Sequence, residues 1–148
     1  MRPIPETAVG LAKEFEGLRL EPYRDAAGFP TVGYGHLLAR DRAAPLDHWP
    51  AIDKAEAERL LAVDLASAAG SVSRLIEVPL ADAQYAALID FAFNCGAGNL
   101  QASTLRRLVN REDHAAVPDE LLKWIWAGGV RLRGLIRRRA AEGALYAS

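Results

Sequence analysis

The chain has 148 residues, of which 51% are hydrophobic and 25% are charged, and its formal net charge is −1. This length favours one domain with a substantial core, and the composition is that of an ordinary globular protein. Nucleic-acid binding is disfavoured, because the chain has neither an overall excess of positive charge nor a recognition motif.

Neither a membrane anchor nor a disulfide is predicted. No apolar stretch approaches the roughly 20 residues that span a bilayer, and residues 1–6 do not form the apolar centre of a signal peptide. We therefore expect synthesis in the cytoplasm and no stable membrane insertion. Cys95 is the only cysteine, which excludes an internal disulfide, and its apolar surroundings predict a small buried thiol.

Charge is distributed unevenly along the chain. Residues 1–100 carry a net charge of −5, whereas residues 101–148 carry +4. A basic surface suits an anionic partner such as a cell-wall polymer. The same charges are also typical of a solvated helix face, and both interpretations stay open.

The first elements are a short helix and a β-hairpin. The apolar spacing of residues 7–16 predicts a helix that Gly17 ends. Weak alternation over residues 18–23 is followed by a turn signal at residues 25–28 and a β-prone segment at 31–34. This order predicts a small antiparallel hairpin.

The remaining elements are predicted to be helices. Asp53 resembles an N-cap for a long helix from Lys54 to about Ala69, which Gly70 could interrupt. Further helices are predicted over residues 83–94, 104–110, 114–126 and 135–146, and the first of these is apolar nearly all round, as buried central helices are. The fold class is therefore α+β, mostly α-helical, with one small hairpin near the N-terminus.

Two acids and a hydroxyl are the leading candidates for chemistry. Glu16 ends a helix next to Phe15, where an apolar neighbour suits a carboxyl group that must hold a proton as a general acid. Asp25 lies in a turn and could orient or deprotonate a water molecule that Thr31 helps to hold. Taken singly, the three are equally typical of an exposed helix acid, a turn residue and a strand residue.

Histidines give no indication of a metal. His36, His48 and His114 lie in unrelated contexts without ligand spacing, so we expect no metal and no cofactor. We predict a structural hydrogen bond for His36. The adjacent glycines, Gly33 and Gly35, allow another backbone or a ligand to approach closely.

Three blocks of sequence occur in an order that a known family shares. The first contains Phe15-Glu16-Gly17-Leu18-Arg19-Leu20, Tyr23, Asp25, Gly28 and Thr31-Val32-Gly33-Tyr34-Gly35-His36. The second is Ala87–Gly98 followed by Ser103-Thr104-Leu105, and the third contains Lys123-Trp124, Ala127-Gly128-Gly129 and Gly134–Arg139. Together they resemble the phage-type lysozymes (endolysins) of glycoside hydrolase family 24.

The resemblance implies a single lysozyme domain with two lobes and an active-site cleft between them. An N-terminal lobe is expected over about 13–53, a connecting helix over about 54–70 and a helical C-terminal lobe over about 71–148, with residues 1–12 packing on the last. The implied reaction is hydrolysis of the β-1,4 bond between N-acetylmuramic acid and N-acetylglucosamine in peptidoglycan, with inversion. Glu16 would be the general acid, and Asp25 and Thr31 would position and activate water.

Further residues follow from the resemblance alone. It implies substrate contacts for five residues: Gly35, Leu37, Phe93, Ser103 and Thr104. Trp124 would be buried beneath the cleft, and Arg137 or Arg138 would pair with the catalytic glutamate. A monomer is expected to act on the wall after release through a holin-type pore. A lytic transglycosylase and an inactive cell-wall-binding module are the alternative functions.

Overall fold

The computed structural model describes all residues from Met1 to Ser148 and divides them into two compact units. The first, here called the sheet unit, is Ala12–Asp64; the second, the helical unit, is Met1–Leu11 together with Leu65–Ser148. Two helices, α1 (Glu6–Glu16) and α2 (Lys54–Leu75), continue from one unit into the other. No helix is both long enough and apolar enough to cross a membrane.

In the sheet unit, three short strands form an antiparallel sheet. These are β1 (Arg19–Arg24), β2 (Pro30–Gly33) and β3 (His36–Leu37), in the spatial order β1-β2-β3. Central strand β2 is entirely buried. Thr31 lies opposite Tyr23 on one side and opposite Leu37 on the other. The predicted hairpin is present, and β3 adds a strand that two residues are too few to signal in sequence.

The connection after β3 is pinned to the sheet. It contains a 3-10 turn at Leu46–His48 and then enters α2, where Asp53 caps the helix by accepting a hydrogen bond from the backbone N–H of Glu56 at 2.8 Å. The backbone N–H of Ile52 donates to the carbonyl of Leu20 at 2.9 Å. This pairing holds the start of α2 against β1.

The helical unit is built around α3 (Asp82–Cys95), of which residues 85–92 are all buried. It packs against α7 (Arg133–Tyr146), which also packs against α6 (Val117–Leu121). Two short helices, α4 (Ala97–Ala102) and α5 (Thr104–Asn110), lie between α3 and α6 in the chain. The prediction that the apolar helix is central is confirmed.

Three expectations about elements need correction. Residues 114–126 do not form one helix: a 3-10 turn at His114–Ala116 leads into α6, and Trp126–Ala127 (β4) then pairs with Val130–Arg131 (β5) around Gly128 and Gly129. Positive φ at both glycines makes the tight turn that ends helical continuation. Gly70 does not interrupt α2, and α4 was not predicted.

Candidate active site

Glu16 is the last residue of α1, and two glycines fix its surroundings. Gly17 has φ = 70°, and its N–H donates to the carbonyl of Lys13 at 3.1 Å, which closes the helix. Gly35 lies in the β2–β3 turn with φ = 73°; a Cβ there would collide with the Glu16 carboxyl group, at 2.9 Å from its Cδ. The β2–β3 turn therefore lies so close to Glu16 that a side chain at position 35 would collide with the carboxyl group.

Lys13 holds the end of α1 in place. Its Nζ lies 2.7 Å from a carboxylate oxygen of Glu58 on α2 and 5.5 Å from the ring centre of Tyr34. Tyr34 directly precedes Gly35 and is buried. These contacts connect α1, α2 and the β2–β3 turn around the position of Glu16.

Asp25 begins the turn between β1 and β2. Its Oδ1 accepts hydrogen bonds from the backbone N–H groups of Ala27 and Phe29, each at 2.9 Å. Its own backbone N–H donates to the carbonyl of Phe29 at 3.0 Å. No protein donor reaches the second carboxylate oxygen, Oδ2, which remains available for water or substrate.

Thr31 is connected to Asp25 through Phe29. The Thr31 hydroxyl, on a side chain that is only 3% exposed, donates to the carbonyl of Phe29 at 2.9 Å. Phe29 thus donates through its N–H to Asp25 and accepts through its carbonyl from Thr31. Because the Thr31 proton is used in this bond, its hydroxyl oxygen is left to act as an acceptor.

Two arginines clamp this turn, and sequence inspection did not identify them. Arg24 donates to the carbonyls of Gly28, Arg42 and Ala44 at 3.2, 2.8 and 2.9 Å. Arg42 donates from Nε to the carbonyl of Ala27 at 2.6 Å, and its guanidinium lies 4.5 Å from the ring centre of Phe29. Their roles depend on backbone acceptors, which leave no signal in a sequence.

Tyr23 lies near both candidate carboxylates. Burial raises the pKa of its hydroxyl, and the charge of Glu16 raises it further; Arg19 lowers this pKa, and Asp25 raises it by the smallest amount. The Arg19 guanidinium lies 4.2 Å from the Tyr23 ring centre. Since Tyr23 is also opposite Thr31 in the sheet, the structure brings Glu16, Asp25 and Thr31 into one neighbourhood of the sheet unit.

The other predicted residues of the sheet unit follow β2. His36 pairs with Val32 across the β2–β3 ladder, and its Nδ1 lies 2.7 Å from Oδ2 of Asp64. Leu37 is half-buried opposite Thr31. No group of three or more His, Cys, Asp or Glu side chains forms a metal site.

Comparison with known proteins decides the family. A family model described as "Phage lysozyme" matches residues 13–142. The chain belongs to the phage lysozyme family. It is accordingly a glycoside hydrolase of the lysozyme, or muramidase, type, as the resemblance predicted.

Individual relatives and a solved structure support the same family assignment. The endolysin of Acyrthosiphon pisum secondary endosymbiont phage 1 is 38% identical over 149 residues, which cover 98% of each chain. The endolysin of Bacillus phage B103 is 33% identical over 97% of this chain, but the chain spans only 53% of that endolysin's length. The solved muramidase domain of SpmX from Asticaccaulis excentricus is 31% identical, with a TM-score of 0.86 and coverage of 100% of this chain and 99% of that one. The lysozyme-like α+β fold is confirmed.

Three of the predicted site residues in the helical unit line one cavity. It has a volume of about 370 Å³, and its walls include Ser103, Thr104 and Trp124. Thr104 is exposed, whereas Ser103 is buried and caps α5: its Oγ accepts from the N–H of Arg106 at 2.9 Å and donates to the carbonyl of Leu100 at 2.7 Å. The Ser103 hydroxyl therefore has a structural role, and its only spare capacity is as an acceptor.

Trp124 is half-buried, so the expectation of full burial is wrong. Its ring meets that of Phe91 edge to face, with centres 5.2 Å apart. Phe93, also half-buried, lies with its ring centre 5.8 Å from the guanidinium of Arg138.

The arginine triplet at residues 137–139 has different surroundings at each position. Arg138 forms a bidentate pair with buried Asp90, at 2.9 and 2.7 Å. Arg139 is completely buried and donates to Glu142, Asn94 and Cys95. Arg137 is exposed. Two of the three charges are therefore internal, and the basic segment is less of a surface feature than its sequence indicates.

The buried acids beside these arginines are shifted in opposite directions. Burial raises the pKa of Glu142 well above its usual value, and the neighbouring Asp90 adds to the effect. Burial alone would also raise the pKa of Asp90, but the hydrogen bonds and charge of Arg138 outweigh it and hold that pKa below its usual value. Cys95 is half-buried instead of buried, and desolvation raises its thiol pKa, which disfavours a nucleophilic role.

Proposed function

We propose that this enzyme hydrolyses the β-1,4 bond between N-acetylmuramic acid and N-acetylglucosamine in peptidoglycan, with inversion at the anomeric carbon. Glu16 is the general acid, and Asp25 with Thr31 activates water. The observation that carries the proposal is the connection of Asp25 to Thr31 through the peptide groups of Phe29. Family membership supports the reaction class.

Asp25 and Thr31 present two acceptors to a water molecule. The Oδ2 of Asp25 has no protein donor, and the Thr31 hydroxyl has already given its proton to Phe29. A water that donates one proton to each acceptor keeps an oxygen lone pair directed away from both. In the reaction this oxygen attacks the anomeric carbon, and Asp25 takes the proton that the water loses.

Glu16 protonates the leaving group. Its proton passes to the glycosidic oxygen as the bond to the anomeric carbon breaks, so the released sugar leaves as a neutral alcohol. Gly35 supports this role because only a glycine leaves room for the carboxyl group beside the β2–β3 turn. After the reaction, solvent returns a proton to Glu16 and removes one from Asp25.

Substrate contacts are proposed within each unit. In the sheet unit they are Gly35 and Leu37; in the helical unit they are Phe93, Thr104 and the acceptor side of Ser103. Thr104 and Ser103 are supported by the cavity that they line with Trp124.

The test compares products released by the parent and by Glu16→Gln from permeabilised Gram-negative cells. We expect reducing muramic ends from the parent and almost none from the variant. Glu14→Gln is the matched control, because this exposed acid lies two residues earlier in the same helix. Anhydro-muramic ends would establish a transglycosylase, and equal activity of Glu16→Gln and the parent would refute the assignment of the acid.

We propose further that the enzyme acts as a monomer and reaches the wall through a pore made by a separate membrane protein. Endolysin relatives support action on the wall. Expression in a bacterial host with and without a pore-forming protein tests the route: lysis should require the pore. Lysis without it would contradict the proposal, and sedimentation at the mass of a dimer would contradict the monomer.

A further inference from the structure

A cavity in the helical unit is dominated by arginine. Its volume is about 440 Å³, and its walls contain three arginines but only one acidic residue. The wall residues are Glu77, Gln101, Arg106, Arg107, Asn110 and Arg111. None of them has a part in the hydrolytic reaction proposed above.

Two of the arginines are fixed by neutral acceptors. Arg106 donates from Nε to the carbonyl of Leu75 at 3.1 Å and from Nη1 to the carbonyl of Gln101 at 3.2 Å. Arg107 donates to the hydroxyl of Thr104 at 2.8 Å. These bonds orient the guanidinium groups without cancelling their charge, so less conformational freedom is lost when an anion binds.

The third arginine and the lone acid have no ionic partner. Arg111 is exposed and makes no side-chain hydrogen bond or ion pair, and the Glu77 carboxylate makes none either. Only the backbone N–H of Glu77 is engaged, by Asn110 at 2.8 Å. Three guanidinium groups and one carboxylate therefore line one cavity, which leaves an excess of positive charge there. Guanidinium groups match carboxylates in shape and charge.

We propose that this cavity binds carboxylate groups of the stem peptide on the muramic acid near the cleaved bond. The proposal rests on the proposed function, which makes peptidoglycan the substrate. Stem peptides carry several free carboxylates, and they start at the sugar. Thr104, a proposed glycan contact, is hydrogen-bonded to Arg107. A stem of four residues extends up to about 14 Å, which allows its carboxylates to reach beyond Thr104 into the cavity.

The test compares two substrates that share a glycan: peptidoglycan strands with stem peptides, and the same strands freed of peptides by an amidase. For Arg111→Gln we expect KM on peptide-bearing strands to rise about fivefold, the upper range for an exposed ion pair, with kcat and the peptide-free reaction unchanged. Glu77→Gln should lower KM on peptide-bearing strands. Arg133→Gln, an exposed arginine outside the cavity, should change neither.

A binding measurement without turnover tests the cavity proposal independently of the proposed hydrolytic function. Calorimetry with soluble peptide-bearing fragments, in the Glu16→Gln background, should show affinity that Arg111→Gln reduces by the same factor. If the parent hydrolyses neither substrate but this binding persists, the proposed function fails and the cavity proposal stands. Equal effects of Arg111→Gln on both substrates, no effect on either, or weaker binding in Glu77→Gln would overturn the cavity proposal.

Discussion

Replacing Gly35 by alanine should disable the acid while leaving the fold intact. The φ of 73° strains any L-residue by about 1–2 kcal/mol. The added methyl would also lie 2.9 Å from the Glu16 Cδ, well inside contact distance, so the carboxyl group must move. Displacing a catalytic group by about 1 Å can cost about 100-fold in rate. We therefore expect a stability loss of about 1–2 kcal/mol and an activity loss near two orders of magnitude.

Gly128→Ala separates backbone strain from displacement of the Glu16 carboxyl group. Gly128 has φ = 58°, positive like that of Gly35, but a Cβ added there would meet no atom within 4 Å, so this variant has the strain without the collision. Urea unfolding and initial rates of peptidoglycan hydrolysis should show similar stability losses in both variants and a large rate loss only in Gly35→Ala. Comparable rates for the two variants would refute the close approach of Gly35 to Glu16.

Three further predictions concern the supports of the site. Arg42→Ala removes the bond that holds the Asp25 turn, and initial rates should fall about tenfold with KM little changed; an unchanged kcat would contradict the clamp. Ser103→Ala removes the α5 cap and should cost about 1 kcal/mol in urea unfolding; loss of activity at full stability would instead indicate a direct substrate role. Because the folded-state pKa of Glu142 is raised, its contribution to stability should be lost as pH rises above about 4.5 and through that raised value. Calorimetric Tm values for Glu142→Gln should depend less on pH over this range, and an identical pH dependence would contradict the raised pKa of Glu142.

Elements with strong local signals could be predicted from sequence. The apolar surface of residues 83–94 required a buried helix, and Gly17 correctly marked the end of α1. The β4–β5 hairpin was missed because its strands have only two residues each. Its two glycines, Gly128 and Gly129, are visible in the sequence, but without longer strands beside them they do not identify a hairpin.

The residues of the candidate site were also only partly predictable from the sequence. The family pattern identified Glu16, Asp25 and Thr31 as candidates, but not the means by which they are held. Phe29 acts through its backbone, and Arg42 lies in a polar connection without periodicity. The sequence counts all three arginines of residues 137–139 toward the basic charge of residues 101–148, because it does not show that Asp90 and Glu142 accompany two of them into the interior.

The stereochemistry of hydrolysis tests whether Asp25 and Thr31 deliver water to the face opposite the leaving group. Proton NMR of a soluble peptidoglycan fragment, recorded before mutarotation, identifies the first anomer released. We expect the α-anomer from the β-linked substrate, because a single displacement inverts the anomeric centre. Initial release of the β-anomer would contradict it, since retention requires a covalent intermediate or a different path for water.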